Sequence, residues 1–149
     1  RAQGLRLQAS AVRGLMVLVD TSVWVDYLRG AATAQVRALK ELLAGEEIVG
    51  TAPIILQEIL QGADSDERFE KWRRYFVDLW CYVPRHPVDT HVDAARLYHT
   101  CRRAGKTPRS SNDCLIARIA VEYGLELLHG DRDFEAIASV DSRLKLYQA

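Results

Sequence analysis

The chain has 149 residues, 48% of them hydrophobic, enough to bury one domain core and too few for two comfortable ones. Its apolar runs fall far short of the ~20 residues that cross a bilayer, so a membrane-spanning helix is excluded and no membrane partner is expected. Twenty Lys and Arg offset twenty Asp and Glu, but Arg1, Arg6 and Arg13 fall in an acid-free stretch over 1–15; the remainder is acidic by three, so nucleic-acid binding there needs a local basic patch.

Met16 is the only methionine and directly precedes the first strand-like run. It reads as the natural start, with 1–15 an added leader and 16–149 the single domain. Residues 16–20 form the first expected strand, ending in Asp20. A short helix over 22–30 carries Trp24 and Leu28 four apart and stops at Gly30. A second helix over 33–44 puts Val36, Leu39, Leu42 and Leu43 on one face, and 47–51 is the second strand. Pro53 opens a helix that bears Glu58 and stops near Gly62. Residues 66–80 are a further helix, with Phe69, Trp72, Phe76, Leu79 and Trp80 at three- and four-residue spacing. A third strand is expected over 81–83, then a long helix over 87–105 bearing Val88, Val92, Ala95 and Tyr98 as its apolar residues. A basic turn over 106–109 leads into a helix over 111–123 with Asp113 in its first turn. Residues 126–129 form strand four, 133–138 a short helix and 144–147 a last strand. Alternating helices and short apolar strands indicate an α/β fold: a short, mainly parallel sheet covered on both faces, with many helices.

Four acidic clusters stand at strand ends or helix starts: Asp20, Glu58, Asp113 and the Asp131/Asp133 pair. Three of them touch strongly apolar runs, where an isolated carboxylate is costly. In open α/β sheets, sites form beyond the carboxyl ends of strands, where strand order reverses. Asp20 and Asp131 are placed there by their strands, Asp113 by its helix start, and Glu58 by a longer side chain. Carboxylates so gathered repel one another unless a cation holds them, and hard oxygen ligands select Mg²⁺ or Mn²⁺. Phosphodiester hydrolysis is the reaction that uses such a site. Thr21 or Ser22 offers a hydroxyl to a metal water or phosphate oxygen, and Asn112 can orient a carboxylate. Each residue also has a plainer role. Asp20 can cap the next helix, Asp113 can face a helix dipole with Ser110 as a capping-box-like partner, Asp131–Asp133 can be a polar turn, and Glu58 can face solvent. The joint pattern favours a site.

Val17–Ser22 with its VLVDTS start, LQEILQG around Glu58, RSSNDCLIA around Asp113 and LLHGDRDFEAIA around Asp131 stand in the order of a known family. The chain resembles the PIN-domain ribonucleases, and among them the VapC-type toxins of bacterial toxin–antitoxin pairs, over essentially all of 16–149. The resemblance implies a three-layer α/β/α fold and a metal-dependent endoribonuclease using Mg²⁺ or Mn²⁺. It implies Asp20, Glu58, Asp113 and Asp131 as the acidic quartet, with Asp133 a further ligand or water-holder. Which of Asp131 and Asp133 reaches the metal is left open. It also implies a homodimer and a cognate antitoxin that threads a segment into a groove and places a basic side chain in the acidic site.

Arg102, Arg103, Lys106 and Arg109 cluster before the Asp113 helix and read as a phosphate-binding rim for RNA, or as a solvated helix end where cations are favoured. The aromatic stripe over 66–80 serves as plain core or as part of an antitoxin groove. Cys81, Cys101 and Cys114 show no CxxC spacing; they argue against a disulfide framework or zinc site and fit a cytoplasmic protein. The four histidines lack zinc spacing. An Asp-based phosphatase would want an acid two residues after Asp20, where Ser22 stands. A receiver-type phosphorylation module would show a paired acid near the start and a late lysine, and neither is found. An RNA- or antitoxin-binding module without turnover is the non-enzymatic alternative.

Overall fold

A computed structural model describes residues 15–149; the reading of 1–15 as a leader falls, Leu15 apart, outside the described residues. The elements run β1 (Met16–Val19), α1 (Thr21–Leu28), α2 (Ala34–Ala44), β2 (Ile48–Thr51), α3 (Pro53–Leu60), α4 (Asp66–Val77), β3 (Trp80–Cys81), α5 (Pro87–Arg103), α6 (Ser111–Tyr123), β4 (Glu126–Leu128), α7 (Arg132–Val140) and β5 (Lys145–Leu146). The five strands form one sheet in the order β3-β2-β1-β4-β5, and every pairing is parallel.

Strand order reverses at β1. The chain steps outward to β2 and β3, then returns past β1 to β4 and β5. Right-handed crossovers therefore set α1–α4 on one face and α5–α7 on the other, and the helices pack on one another mainly within those two groups, with α3 also meeting α6. Because both faces are covered, the central strands are apolar throughout: Val17, Leu18, Val19, Leu127 and Leu128 are all fully buried. The α5–α7 layer adds Ile116, Ile119, Phe134 and Ile137 to the core, and the α1–α4 layer adds Trp24, Leu39, Ile55 and Phe76.

Local chemistry explains most boundaries. Thr33 caps α2 by accepting from the Val36 amide, and Ser65 caps α4 by accepting from the Arg68 amide. Gly124 ends α6 in the left-handed conformation at φ 64°, which glycine adopts without steric cost. Gly50 in β2 is required by packing: a Cβ there would lie 2.3 Å from the Tyr82 ring.

Three expectations shift. The helix expected to reach Trp80 stops at Val77, because Trp80 pairs with Gly50 and opens β3; strand pairing outweighs the helical spacing of its aromatic residues. The last helix begins at Arg132 and reaches Val140, since Asp131 is its cap. On α5, Val88 and Val92 are 76% and 54% exposed, and the buried stripe is Thr90, Ala94, Leu97 and Cys101. None of the three cysteines is in a disulfide, and no helix among the described residues is long and apolar enough to cross a membrane.

Candidate active site

The reversal of strand order opens a crevice between the carboxyl ends of β1 and β4, the place where such sheets bind ligands. The strands are in register with Val19 opposite Leu128, and the Asp20 amide donates to the Leu128 carbonyl at 2.9 Å. Each chain then turns directly into a helix. Asp20 is the N-cap of α1, accepting from the Ser22 amide, and Asp131 is the N-cap of α7, accepting from the Asp133 amide. The α6 N-terminus arrives from the other side of the sheet order and brings Asp113. The capping and catalytic readings of Asp20 and Asp131 are thus compatible: a cap uses part of the carboxylate, and the helix N-terminus lowers the cost of its charge. Ser110 caps α6 through the Asn112 amide at 3.2 Å, rather than pairing with Asp113.

These elements surround a cleft of about 330 Å³ lined by Asp20, Thr21, Ser22, Glu58, Asp113 and Asp131, with Ser110 and Arg109 at its edge. Ser22 ties its two walls together. Its hydroxyl donates to Asp20 Oδ2 at 2.5 Å and accepts from the Gly130 amide at 3.2 Å. Thr21 donates to Glu58 Oε1 at 2.9 Å, which brings the α3 carboxylate to the α1 end of the cleft. Asp113, Asp131 and Asp133 each offer an oxygen, and the three lie within 4.8 Å of one another. Asp20 shares the cleft but stands outside that trio.

Burial and mutual repulsion dominate the electrostatics. Asp113 is only 8% exposed. Its carboxyl is pushed up to about 7, first by burial and then by the charges of Asp20, Asp131, Asp133 and Glu58. Burial also raises Asp20, against the hydrogen bonds from Ser22. Glu58 is raised by burial and by Asp20, with the Thr21 hydroxyl opposing. Carboxylates held this close, with one near neutrality in its titration, suit a divalent cation: its charge removes the repulsion, and the donors are hard oxygens at the right separation. The chain's own residues therefore fit such an ion.

The proposed basic rim divides. Arg102 and Arg103 are exposed at the end of α5. Lys106 donates to the Ser139 hydroxyl at 2.7 Å, on α7. Arg109 is exposed but paired: its guanidinium donates to Asp131 Oδ1 at 2.7 Å and to Asp133 Oδ2 at 3.2 Å. The sequence offered no signal for this, because the contact spans more than twenty residues and depends on the path of the α5–α6 loop.

The aromatic residues of α4 are split between core and surface. Phe76 is fully buried, whereas Phe69 and Tyr75 are 39% and 43% exposed. With Tyr27 and Leu28 of α1 and Ile59 of α3, residues Trp72 and Tyr75 border an open groove of about 990 Å³.

The chain belongs to the PIN-domain family, whose model, described as PIN domain, matches residues 17–140. It is similar to ribonuclease VapC11 of Mycobacterium tuberculosis, 38% identical over 129 residues, which span 84% of this chain and 93% of that one. Ribonuclease VapC32 of the same organism is 33% identical over 121 residues, 81% of this chain and 89% of its own length. Among solved structures, the fold matches VapBC2 from Rickettsia felis, bound to a promoter DNA fragment, with a TM-score of 0.68 at 16% identity, over 89% of this chain and 98% of that one.

Proposed function

We propose that this protein is a metal-dependent endoribonuclease toxin, held inactive by a cognate antitoxin. The observation that carries the reading is the convergence of Asp113, Asp131 and Asp133, beside Asp20, at the point where strand order reverses. Its similarity to proteins named VapC ribonucleases supports RNA as the substrate.

Asp20, Asp113, Asp131 and Asp133 are the residues that would hold Mg²⁺ or Mn²⁺. Such an ion, when bound, lowers the pKa of a water and offsets charge on the reacting phosphate. Asp20 and Asp113 are both buried, and Asp113, which feels the charges of four other carboxylates, is the group whose charge most needs a cation. Ser22 fixes the orientation of Asp20 by donating to one of its oxygens. Thr21 holds Glu58 in place, and the raised Glu58 carboxyl can exchange a proton closer to neutral pH. Arg102 and Arg103, exposed at the end of α5, offer cations for an RNA backbone.

The groove between α1, α3 and α4 is the docking site in this reading for an antitoxin segment, since it is apolar along Leu28, Ile59 and Trp72 and polar along Arg68 and Lys71. A homodimer and a cytoplasmic location complete the proposal.

The test is cleavage of total bacterial RNA by the purified chain with Mg²⁺ or Mn²⁺, with EDTA, and as Asp20→Asn. Discrete products that require metal and fall at least ~100-fold in the variant are expected. Cleavage that survives both EDTA and the substitution would overturn the reading.

Ser22→Ala isolates the link across the cleft. It leaves the Gly130 amide without its hydroxyl partner and frees Asp20 to turn. A loss of about tenfold in cleavage with a stability change of roughly 1 kcal/mol is expected, measured by initial rates and urea unfolding.

A further inference from the structure

Arg109 occupies the carboxylates that the proposed function assigns to a cation. Asp133 Oδ2 accepts from the Arg109 backbone amide at 2.8 Å and from its Nε at 3.2 Å. Asp131 Oδ1 accepts from the Arg109 guanidinium at 2.7 Å and from the Asp133 amide at 3.0 Å. One guanidinium therefore spans two of the three carboxylates whose oxygens lie within 4.8 Å of one another. A divalent cation drawing on those oxygens would stand beside a positive guanidinium, and the two would repel.

Among the described residues, the guanidinium is held only by those carboxylates. Its side chain is 76% exposed, whereas Asp131 and Asp133 are 26% and 17% exposed. The loop that carries it has anchors besides the guanidinium. The Lys106 amide donates to the Cys101 carbonyl at 2.8 Å, Lys106 Nζ reaches Ser139, and the Arg109 amide keeps its own bond to Asp133. The side chain can leave without unfolding the loop.

We propose that Arg109 is an internal counterion that competes with the divalent cation for Asp131 and Asp133, so that cation loading requires the guanidinium to swing out. This rests on the metal site proposed above. It assigns Arg109 a positioning role: it neutralises the cation-free cleft and lowers the affinity for metal. An exposed ion pair screened by salt competes only modestly, so the affinity difference is a matter of a few-fold.

Calorimetric titration of Mn²⁺ into the full chain tests this, using wild type, Arg109→Gln, Arg109→Lys and Asp113→Asn. Arg109→Gln is expected to bind Mn²⁺ about three- to tenfold more tightly than wild type. Arg109→Lys, which keeps the charge and loses the planar fork, is expected to fall between them. Thermal melting supplies a readout independent of heats. In EDTA, Arg109→Gln is expected to melt below wild type, and saturating Mn²⁺ is expected to close the gap, because the cation then replaces the missing charge. Equal or weaker binding by Arg109→Gln, with Asp113→Asn impaired, would overturn the counterion role alone. Mn²⁺ binding that is absent in wild type, or indifferent to Asp113→Asn, would overturn this role together with the metal site on which it rests.

Discussion

Asp113→Asn is expected to lower RNA cleavage by about 10²–10³-fold while leaving the cation-free protein at least as stable as wild type at pH 8. The two effects share one cause. Asp113 is buried at the start of α6, and its carboxyl is pushed from an ordinary 3.8 up to about 7 by burial and by four neighbouring carboxylates. The unfolded chain releases this proton near pH 4, and the folded chain holds it until about pH 7. Below pH 4 the group is neutral in both states and imposes no penalty. Between pH 4 and 7 the folded state binds more protons, so stability of the cation-free protein falls as pH rises, and the loss is complete above pH 7. The full shift corresponds to about 4 kcal/mol; the cleft is open to water and the charges are shared, so about 2 kcal/mol is expected.

An amide of the same shape removes this penalty and leaves a shallower slope, which comes from Asp20 and Glu58, both also raised by burial. Saturating Mn²⁺ should likewise flatten the wild-type profile, because a bound cation favours the charged carboxylate. Urea unfolding at pH 5 and pH 8, with and without the ion, reads all of this directly. A variant with the wild-type pH slope, or with wild-type cleavage, would show that Asp113 neither stores the repulsion nor takes part in the chemistry.

The parts of the site carried by local sequence are legible in the chain itself. Asp20 ends an apolar β-branched run, Asp131 follows another apolar run closely, and Asp113 sits in the first turn of a helix marked by serines. Each position is fixed by its own element, and topology then gathers them at one edge. What depends on how distant segments meet is not legible there. Trp80 has the spacing of the α4 stripe, yet it pairs with Gly50 in the sheet. Val88 and Val92 have the spacing of a buried stripe, yet α5 turns Ala94 and Leu97 inward and leaves them out. Arg109 belongs by composition to a basic rim, yet the α5–α6 loop folds back so that its guanidinium meets Asp131 and Asp133. The likeness to PIN-domain ribonucleases supplied the order of the acidic landmarks; it did not separate Asp20 from the Asp113–Asp131–Asp133 trio, which takes distances.

Trp24→Ala is expected to cost about 3–5 kcal/mol, a large share of the ~5–15 kcal/mol that holds a domain folded. Trp24 sits on α1 and is fully buried. Its indole meets Phe76 edge-on at 5.0 Å, Tyr27 at 5.9 Å and Tyr75 at 6.4 Å, so it joins α1 to α4 and supports one wall of the groove. Truncation leaves a cavity between two helices and removes the aromatic contacts together. Trp24→Phe separates packing from polarity. The indole Nε1 is buried with no hydrogen-bond partner among the described residues, a state that is itself costly. Phenylalanine deletes that donor and keeps a ring against Phe76, so its cost should be only about 1–2 kcal/mol. Asp20 and Ser22 are held by bonds to Leu128 and Gly130 rather than by the indole, so Trp24→Phe should keep wild-type Mn²⁺ affinity while changing the groove. Urea unfolding of both variants and titration of the second with Mn²⁺ are the measurements. An alanine variant less than ~1 kcal/mol below wild type would mean that the α1–α4 contact does not hold this side of the fold together, and that the groove wall rests on other residues.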